Sequence, residues 1–414
     1  MTRSERQEIC VQKWIYAKCR GSLELATGFG KTFCALTAIS KFLAKNPGRC
    51  ILVSVPTDEI KRQWLKGLAD RGLFMNVQVE IINSIIKHDW IVDMLVIDEC
   101  HLSAAETFKQ IFVKVKYSII LCLTATMERL DGKHVLIEKY APIIDRISIE
   151  EAVENKWLAP VKEYKVLLEV DLTEYKKINA EFIEHFSFFR NNFDLAMDCV
   201  TDWKKRNLYR DLLYTGSDPV EKSRVGKQVL IQAMGFSRCL HFRKNFIASH
   251  PKKIEVCNLI LEHRKDKKAI TFSQTIKIAE KIKYGDVLSS KQTKKKRKVT
   301  FEEFVEMKVG VLNSSKALNA GVDIPGLELG IIMNTDSSKT TKIQKVGRTC
   351  RFSPNKEAEL FVLIIKGTKE EDWFSNSSTN KNYITIDEEQ LINVLQYKPF
   401  TTKKNKETTG LFRF

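Results

Sequence analysis

The sequence lacks an apolar run that approaches the roughly 18–20 residues of a membrane-spanning helix. Its first twelve residues are charged and polar, without the apolar core of a signal peptide. We therefore expect an intracellular, cytoplasmic protein that has no membrane partner.

The ten cysteines are scattered and form no Cys-x-x-Cys pair, which argues against a zinc site. Cys34, Cys50, Cys122 and Cys257 fall within apolar segments. This placement favours buried free thiols in a reducing compartment.

Acidic residues are in the minority: 51 Asp and Glu stand against 68 Lys and Arg, for a formal net charge of +17. Such an excess points to a polyanionic partner, with nucleic acid the leading candidate. The length of 414 residues suits two or three domains with ample core.

A glycine-rich turn lies near the start of the chain, between the strand-like Ser22–Leu25 and the helical periodicity of Phe33–Leu43. A turn at a strand end and helix start presents free backbone N–H groups to an anion. Lys31 is then placed to reach the β- and γ-phosphates of a nucleotide, and the Thr32 hydroxyl to bind Mg²⁺. Leu25 stands where the strict pattern has glycine, so this turn alone could also be a chance loop. The loop residues expected at the nucleotide are Thr27, Gly28, Phe29, Gly30, Lys31 and Thr32.

A second motif follows the apolar run Met94–Ile97, which is typical of a buried parallel strand and ends in Asp98 and Glu99. Ligand sites of open α/β sheets lie at this carboxyl edge. Asp98 is expected to hold Mg²⁺, and Glu99 to orient and deprotonate the attacking water. The alternative is a solvated acidic turn, which the phosphate loop upstream makes much less attractive.

Further motifs appear in order along the chain. Thr124-Ala125-Thr126 follows the strand Ile119–Leu123, and Ser273 ends the strand that begins at Ala269. Ala317 to Pro325 follows the strand Val309–Leu312, and Gln344 to Arg351 closes the series. This succession, from about Gln12 to about Trp373, resembles the superfamily 2 helicases and translocases, most closely the UvsW and XPB group of DNA helicases.

The resemblance implies an α/β fold with two tandem RecA-like domains, each a parallel sheet flanked by helices, and a helical connecting segment. It implies residues 1–158 as the ATP-binding domain, 159–250 as a linker with a helical insertion, and 251–397 as the C-terminal domain. Residues 398–414 are expected to form a basic flexible tail.

The same resemblance assigns roles outside the two acidic and phosphate motifs. Gln12 resembles the glutamine that reads adenine. Arg348 and Arg351 match two arginine fingers, and Gln344 is expected at the phosphates or the water. Gly321 and Asp323 are expected near the ribose. The residues that resemble couplers between ATP and nucleic acid are His101, Thr124 and Thr126.

Contacts with a bound strand are expected from hydroxyl and amide side chains at the strand ends, although such residues are ordinarily turn formers. The candidates are Thr57, Asn83, Ser84, Ser273, Gln274, Asn313, Ser314 and Ser315.

Two segments carry open alternatives. Aromatic residues within 171–250 indicate either the core of a helical bundle, which we favour, or a wedge that stacks on nucleic acid. The basic run Lys294–Lys298 is expected to be a solvated helix face, with phosphate contact second and a nuclear import signal last.

The sequence therefore predicts an ATP- and Mg²⁺-dependent enzyme, a DNA helicase or translocase that acts on branched or single-stranded DNA in replication, recombination or repair. An RNA helicase or transcript-releasing ATPase of the same fold is an alternative, because nothing here reads the 2′-hydroxyl. A motor subunit of a larger nucleic-acid-processing complex is another. A catalytically dead binding module is disfavoured, since the expected catalytic residues are all present.

Overall fold

The computed structural model describes residues 1–104, 109–127, 132–289, 291–315, 324–335, 358–377 and 383–396. These residues form two α/β domains, each built on a fully parallel sheet, and a helical segment between them. The predicted fold class is confirmed.

The first domain has a six-stranded sheet in the order β3-β2-β4-β5-β1-β6. Its strands are β1 Arg20–Leu25, β2 Ile51–Val55, β3 Val77–Ile81, β4 Trp90–Ile97, β5 Val115–Thr124 and β6 Ile143–Ile147. Its helices are α1 Arg3–Tyr16, α2 Lys31–Lys45, α3 Asp58–Ala69, α4 Ile82–Ile85, α5 Ile111–Lys114, α6 Val135–Tyr140 and α7 Ile149–Glu154.

Two apolar clusters cover the faces of this sheet. Val53 and Val96 belong to one cluster, and their strand neighbours Leu52 and Leu95 to the other. This division follows from the alternation of side chains along a strand. Burial on both faces explains the nearly continuous apolar runs that the sequence shows for these strands.

The helical segment consists of α8 Thr173–Phe188, α9 Phe193–Thr201, α10 Trp203–Leu213 and α11 Pro219–Ser249. Its own core centres on Phe236, which is fully buried and lies within 5.2–6.3 Å, ring to ring, of other phenylalanines. Most of the aromatic cluster is therefore bundle core, as favoured. Trp203 and Phe242 are the exceptions, at 64% and 52% exposure.

The second domain has a sheet of seven described strands in the order β13-β7-β12-β11-β8-β10-β9. These are β7 Val161–Leu168, β8 Lys268–Ser273, β9 Asp286–Leu288, β10 Gly310–Ser315, β11 Leu329–Ile332, β12 Ala358–Ile365 and β13 Ile384–Ile386. Its described helices are α12 Pro251–His263, α13 Ile276–Ala279, α14 Lys294–Glu306, α15 Glu370–Ser377 and α16 Glu388–Gln396.

Strand β7 falls within the segment 159–250 that the sequence assigned to a linker. It pairs in parallel with β12 over its whole length, from Val161 opposite Ala358 to Leu168 opposite Ile365. The chain therefore contributes an interior strand to the second sheet, next to the edge strand β13, before the helical segment begins.

The basic run forms the first turns of α14, where Lys295, Lys296 and Lys298 are exposed while Phe304 is buried. This is the arrangement of a solvated helix face. The described cysteines are all free, and Cys50 is exposed rather than buried as predicted. None of the described helices has the length and apolar character needed to cross a bilayer.

Candidate nucleotide-binding site

The glycine-rich turn joins β1 to α2 and has two residues in the left-handed region, Gly28 at φ 88° and Gly30 at φ 107°. Glycine adopts this region without steric cost. Gly30 is the N-cap of α2 and makes no side-chain cap, so the first N–H groups of the helix are available to an anion. The buried Thr27 hydroxyl makes no hydrogen bond to the described residues.

Helix α1 holds the turn from behind through Arg3 and Gln7. Arg3 donates from Nε to the Phe29 carbonyl at 2.9 Å and from Nη2 to the Gly28 carbonyl at 2.6 Å. Gln7 Nε2 also donates to the Phe29 carbonyl, at 2.6 Å. These carbonyls are turned to α1, and the Phe29 N–H donates to the Ala26 carbonyl at 3.0 Å, so it is the other N–H groups of the turn that are left for a ligand.

Gln12, the residue predicted to read adenine, bonds within α1 rather than to this turn. Its side chain is half-buried, and its Nε2 donates at 2.8 Å to Glu8 Oε1, which also pairs with Lys41 of α2. Five residues along a helix correspond to about 500° of rotation, so Gln7 and Gln12 lie on different faces. Gln7, and not Gln12, is therefore the glutamine of α1 that lies against the phosphate loop.

The acidic pair follows β4 directly. The buried Asp98 accepts from Trp64 Nε1 at 2.9 Å through Oδ2, and from the Glu99 N–H at 3.0 Å through Oδ1. Glu99 has φ 50°, an uncommon value for a non-glycine residue that is often found where function constrains the backbone. Its Oε1 lies 3.8 Å from Lys31 Nζ. The structure therefore brings the phosphate loop and the acidic pair together, as predicted.

The Asp98 carboxyl is electrostatically strained. Burial, and then repulsion from Glu99, raises its pKa from 3.8 to about 6, against the lowering effect of the Trp64 hydrogen bond and of Lys31. A carboxylate that is costly to ionise alone gains by the arrival of a cation. This fits a metal ligand.

Replacing Asp98 with asparagine is expected to stabilise the nucleotide-free protein at neutral pH. A carboxyl whose folded pKa lies above its unfolded value costs stability once pH exceeds the folded pKa, and costs nothing below the unfolded one. The gain in free energy of unfolding should reach up to about 3 kcal/mol at pH 7.5, shrink as pH falls through 6, and vanish near pH 4. Urea unfolding with a chelator present, at several pH values, measures it. If Asp98→Asn lost stability at pH 7.5, the Asp98 carboxylate would not be destabilising in the nucleotide-free protein.

A hydrogen-bonded group at the end of β5 lies beside Glu99. His101 Nδ1 lies 3.5 Å from Glu99 Oε2 and 3.1 Å from Thr124 Oγ1. Thr124 Oγ1 donates to the Thr126 carbonyl at 2.8 Å and accepts from the Thr126 N–H at 3.2 Å. Since the hydroxyl hydrogen is committed to that carbonyl, Nδ1 is the donor toward Thr124. The three predicted couplers are thus one connected unit.

The donor set fits a nucleotide with Mg²⁺. Within the described residues no three His, Cys, Asp or Glu side chains cluster to hold a metal by themselves. Mg²⁺ is ordinarily held by one or two protein oxygens, with water and substrate phosphates completing the shell. Asp98, with the Thr32 hydroxyl at the start of α2, would supply the protein oxygens.

The carboxyl edge of the second sheet differs from expectation. Strand β10 continues through Ser315, so Asn313 lies inside the strand and is fully buried. It accepts from Thr271 Oγ1 at 2.8 Å and donates to the Tyr284 carbonyl at 2.7 Å. The assignment of Asn313 to a nucleic-acid contact is therefore wrong.

The other candidate residues at this edge are also wholly or partly buried. Ser273 uses its hydroxyl within the edge, toward the carbonyls of Thr275 and Ser314. Ser314 is 2% exposed. Gln274 is half-buried, and its N–H donates to Asn334 Oδ1 at 3.2 Å. Ser315 keeps a buried hydroxyl with no hydrogen bond to the described residues.

At the edge of the first sheet, Asn83 and Ser84 are exposed on α4, directly after β3. Thr57 is the N-cap of α3, and its Oγ1 accepts from the Ile60 N–H at 3.4 Å. Five site residues lie outside the described residues: Gly321, Asp323, Gln344, Arg348 and Arg351.

Comparisons with known proteins agree with this architecture. Residues 1–89 and 83–129 match the family described as type III restriction enzyme, res subunit. Residues 251–353 match the family described as helicase conserved C-terminal domain.

Among curated proteins, the chain is 26% identical over 382 residues to the DNA 3′-5′ translocase XPB2 of Sulfurisphaera tokodaii, covering 87% of this chain and 81% of that protein. It is 24% identical over 364 residues to a helicase of Sulfolobus islandicus filamentous virus, covering 84% of this chain but 56% of the viral protein. The Pyrococcus furiosus Hef helicase domain has the same fold, with a TM-score of 0.52, 16% identity and coverage of 90% of this chain and 97% of that one.

Proposed function

The chain is a superfamily 2 helicase of the XPB-like group and hence a nucleic-acid-dependent ATPase, and from this premise we propose that it remodels branched or forked DNA in replication, recombination or repair. It would move 3′ to 5′ along the bound strand. The observation that carries the chemistry is the 3.8 Å approach of Lys31 to Glu99, which joins the phosphate loop to the acidic pair. The net charge of +17 supports a polyanionic substrate.

The residues of the first domain divide the work of hydrolysis. The backbone of Thr27, Gly28, Phe29 and Gly30 would surround the phosphates, with Lys31 against the β- and γ-phosphates. Thr32 and Asp98 would hold Mg²⁺, which when bound neutralises phosphate charge. The buried Oε2 of Glu99, which makes no hydrogen bond to the described residues, would take the proton of the attacking water.

Gln7, in place of Gln12, is the residue we assign to adenine recognition, since it lies against the phosphate loop. Gln7→Ala should raise the KM for ATP about tenfold and reduce discrimination against GTP, because one buried hydrogen-bonding partner of the loop and base is lost. Gln12→Ala is the matched control on the same helix and should leave both unchanged. Steady-state kinetics with the two nucleotides distinguishes the variants, and equal effects would remove the assignment.

Coupling between ATP and nucleic acid would run through the unit formed by His101, Thr124 and Thr126, which joins Glu99 to the end of β5. From the second domain, Arg348 and Arg351 would act as arginine fingers and Gln344 would contact the phosphates or the water. Gly321 and Asp323 would approach the ribose. An arginine supplied in this way contributes roughly 10³–10⁵ in rate.

We keep five residues as candidate contacts with a bound nucleic-acid strand: Thr57, Asn83, Ser84, Gln274 and Ser315. Asn83 and Ser84 are exposed and free to reach a phosphate backbone. Ser273 and Ser314 could contribute through the main chain at most, since their side chains are buried.

The test is ATP hydrolysis by the full chain with no polynucleotide, single-stranded DNA, a four-way DNA junction, and single-stranded RNA. Stimulation by DNA, greatest with the junction, is the expected result, and a Glu99→Gln preparation controls for contaminating ATPases. Stimulation mainly by RNA would move the protein to RNA remodelling. Equal stimulation by junction and single strand would overturn the preference for branched DNA.

A further inference from the structure

Trp64 lies in the middle of α3 and is fully buried. Its Nε1 donates to Asp98 Oδ2 at 2.9 Å, while the other oxygen of that carboxylate accepts from the Glu99 N–H at 3.0 Å. The two hydrogen bonds come from different parts of the domain. Together they fix the plane of the carboxylate.

The indole itself has little freedom. Ile60, Trp64 and Leu68 recur every four residues on one face of α3, and all three are buried in the core of the first domain. A side chain packed in this way keeps a single rotamer, so the N–H donor stays at one point in space.

Other indoles satisfy their N–H groups differently. Trp14 donates to the Ile120 carbonyl at 2.9 Å, Trp90 to the Ile85 carbonyl at 3.1 Å, and Trp157 to the Met1 carbonyl at 3.1 Å. A buried indole needs an acceptor, and a main-chain carbonyl suffices. Trp64 instead donates to the side chain of Asp98, directly after β4.

We propose that Trp64 is a positioning residue for the metal-binding carboxylate of Asp98, an inference that rests on the proposed role of Asp98 as a Mg²⁺ ligand. By occupying one lone pair of Oδ2, the indole leaves a defined direction for the cation and prevents rotation of the carboxylate. Partners of this kind behind a metal ligand typically account for roughly 10–100-fold in metal affinity.

The experiment compares Trp64→Phe with Trp14→Phe in the full chain. Both changes remove an indole N–H from a buried tryptophan of the same core, but only Trp64 touches Asp98. Binding of Mn²⁺ in the presence of a non-hydrolysable ATP analogue is read from the electron paramagnetic resonance signal of the bound ion. The Mg²⁺ dependence of ATP turnover is measured in parallel.

Trp64→Phe is expected to weaken Mn²⁺ binding about tenfold and to recover turnover at high Mg²⁺, while Trp14→Phe behaves as wild type. Equal Mn²⁺ affinity in the two variants would overturn the proposal. If thermal unfolding shows that Trp64→Phe is not folded, 3-benzothienylalanine at position 64 keeps the shape of the indole and replaces its N–H by sulfur. The same Mn²⁺ comparison then decides.

Asp98→Asn separates this inference from the proposed function. Wild-type Mn²⁺ affinity in Asp98→Asn would show that Asp98 is not a metal ligand. That result would refute both the proposed role of Asp98 and the positioning role of Trp64. Weak binding by Asp98→Asn together with normal binding by Trp64→Phe would leave the metal site in place and refute only the positioning role.

Discussion

Glu99→Gln is expected to reduce ATP turnover by roughly 10³-fold, within the range that general-base catalysis contributes, and to leave ATP binding largely intact. The substitution keeps the shape of the side chain but removes its negative charge and its capacity to accept a proton. Glu99 is buried, its Oε1 lies 3.8 Å from Lys31 Nζ, and its Oε2 makes no hydrogen bond to the described residues. An amide can keep the first contact but cannot take a proton from water.

Single-turnover hydrolysis measures the loss, and equilibrium binding of a fluorescent ATP analogue shows whether the site is still formed. Glu80→Gln is the control, because Glu80 belongs to the same domain and pairs with Lys61 at 2.9 Å near the surface. It should hydrolyse ATP at the wild-type rate. Normal hydrolysis by Glu99→Gln would refute the assignment of the general base.

The parts of this site that could be predicted from the sequence are those built from consecutive residues. One short segment contains Gly28, Gly30 and Lys31, and another contains Asp98 and Glu99. Within each segment the residues are close in space because they are close in the sequence. Position at the carboxyl edge of a parallel sheet then brings the two groups together. The approach of Lys31 to Glu99 could therefore be predicted from these two segments alone.

Residues that join the site through packing were missed. Arg3 and Gln7 reach the phosphate loop because α1 lies behind it, and Trp64 reaches Asp98 from α3. A signal for Gln7 was present nonetheless. Arg3, Gln7, Cys10 and Trp14 recur at helical spacing on one side of α1, whereas Gln12 shares another side with Glu8, which faces Lys41 of α2. The helical phase of α1 therefore selects Gln7 as the glutamine that lies against the phosphate loop.

Strand pairing between distant segments could likewise not be predicted from the sequence. Strand β7 joins the second sheet although the long helical segment separates it from most of its neighbours. Asn313 was expected at a strand end, but pairing with β8 and β9 extends β10 past it and buries its amide. Polar residues at the end of an apolar run can belong to the strand when side-chain partners lie on the adjacent strands.

Breaking a buried ion pair in the second domain should strongly destabilise that domain. Lys253 on α12 and Glu370 on α15 are both fully buried and lie 2.7 Å apart. Lys253 also donates to the Met333 carbonyl at 2.8 Å, and Glu370 accepts from the N–H groups of Thr335 and Ile365. The pair thus links two helices to the ends of β11 and β12. In sequence, Thr335 precedes the segment that contains Gln344, Arg348 and Arg351.

Burial raises the pKa of Glu370 and lowers that of Lys253, while their mutual attraction opposes both shifts. Lys253→Met removes the cation and leaves Glu370 to be buried alone or to bind a proton. Breaking a buried pair in this way costs about 3–5 kcal/mol, against a total stability of about 5–15 kcal/mol for a typical domain.

The double variant Lys253→Met with Glu370→Gln should recover most of that loss, because no unpaired charge is left and the glutamine oxygen can still accept from the Ile365 N–H. Lys252→Met is the matched control. Lys252 is the neighbouring lysine and pairs with Glu388 at 2.8 Å and Glu255 at 3.0 Å at the surface, where such pairs contribute about 0–1 kcal/mol. Urea unfolding of the four proteins measures the differences. If Lys253→Met lost no more stability than Lys252→Met, the buried pair would be dispensable, and the ends of β11 and β12 would have to be held by packing alone.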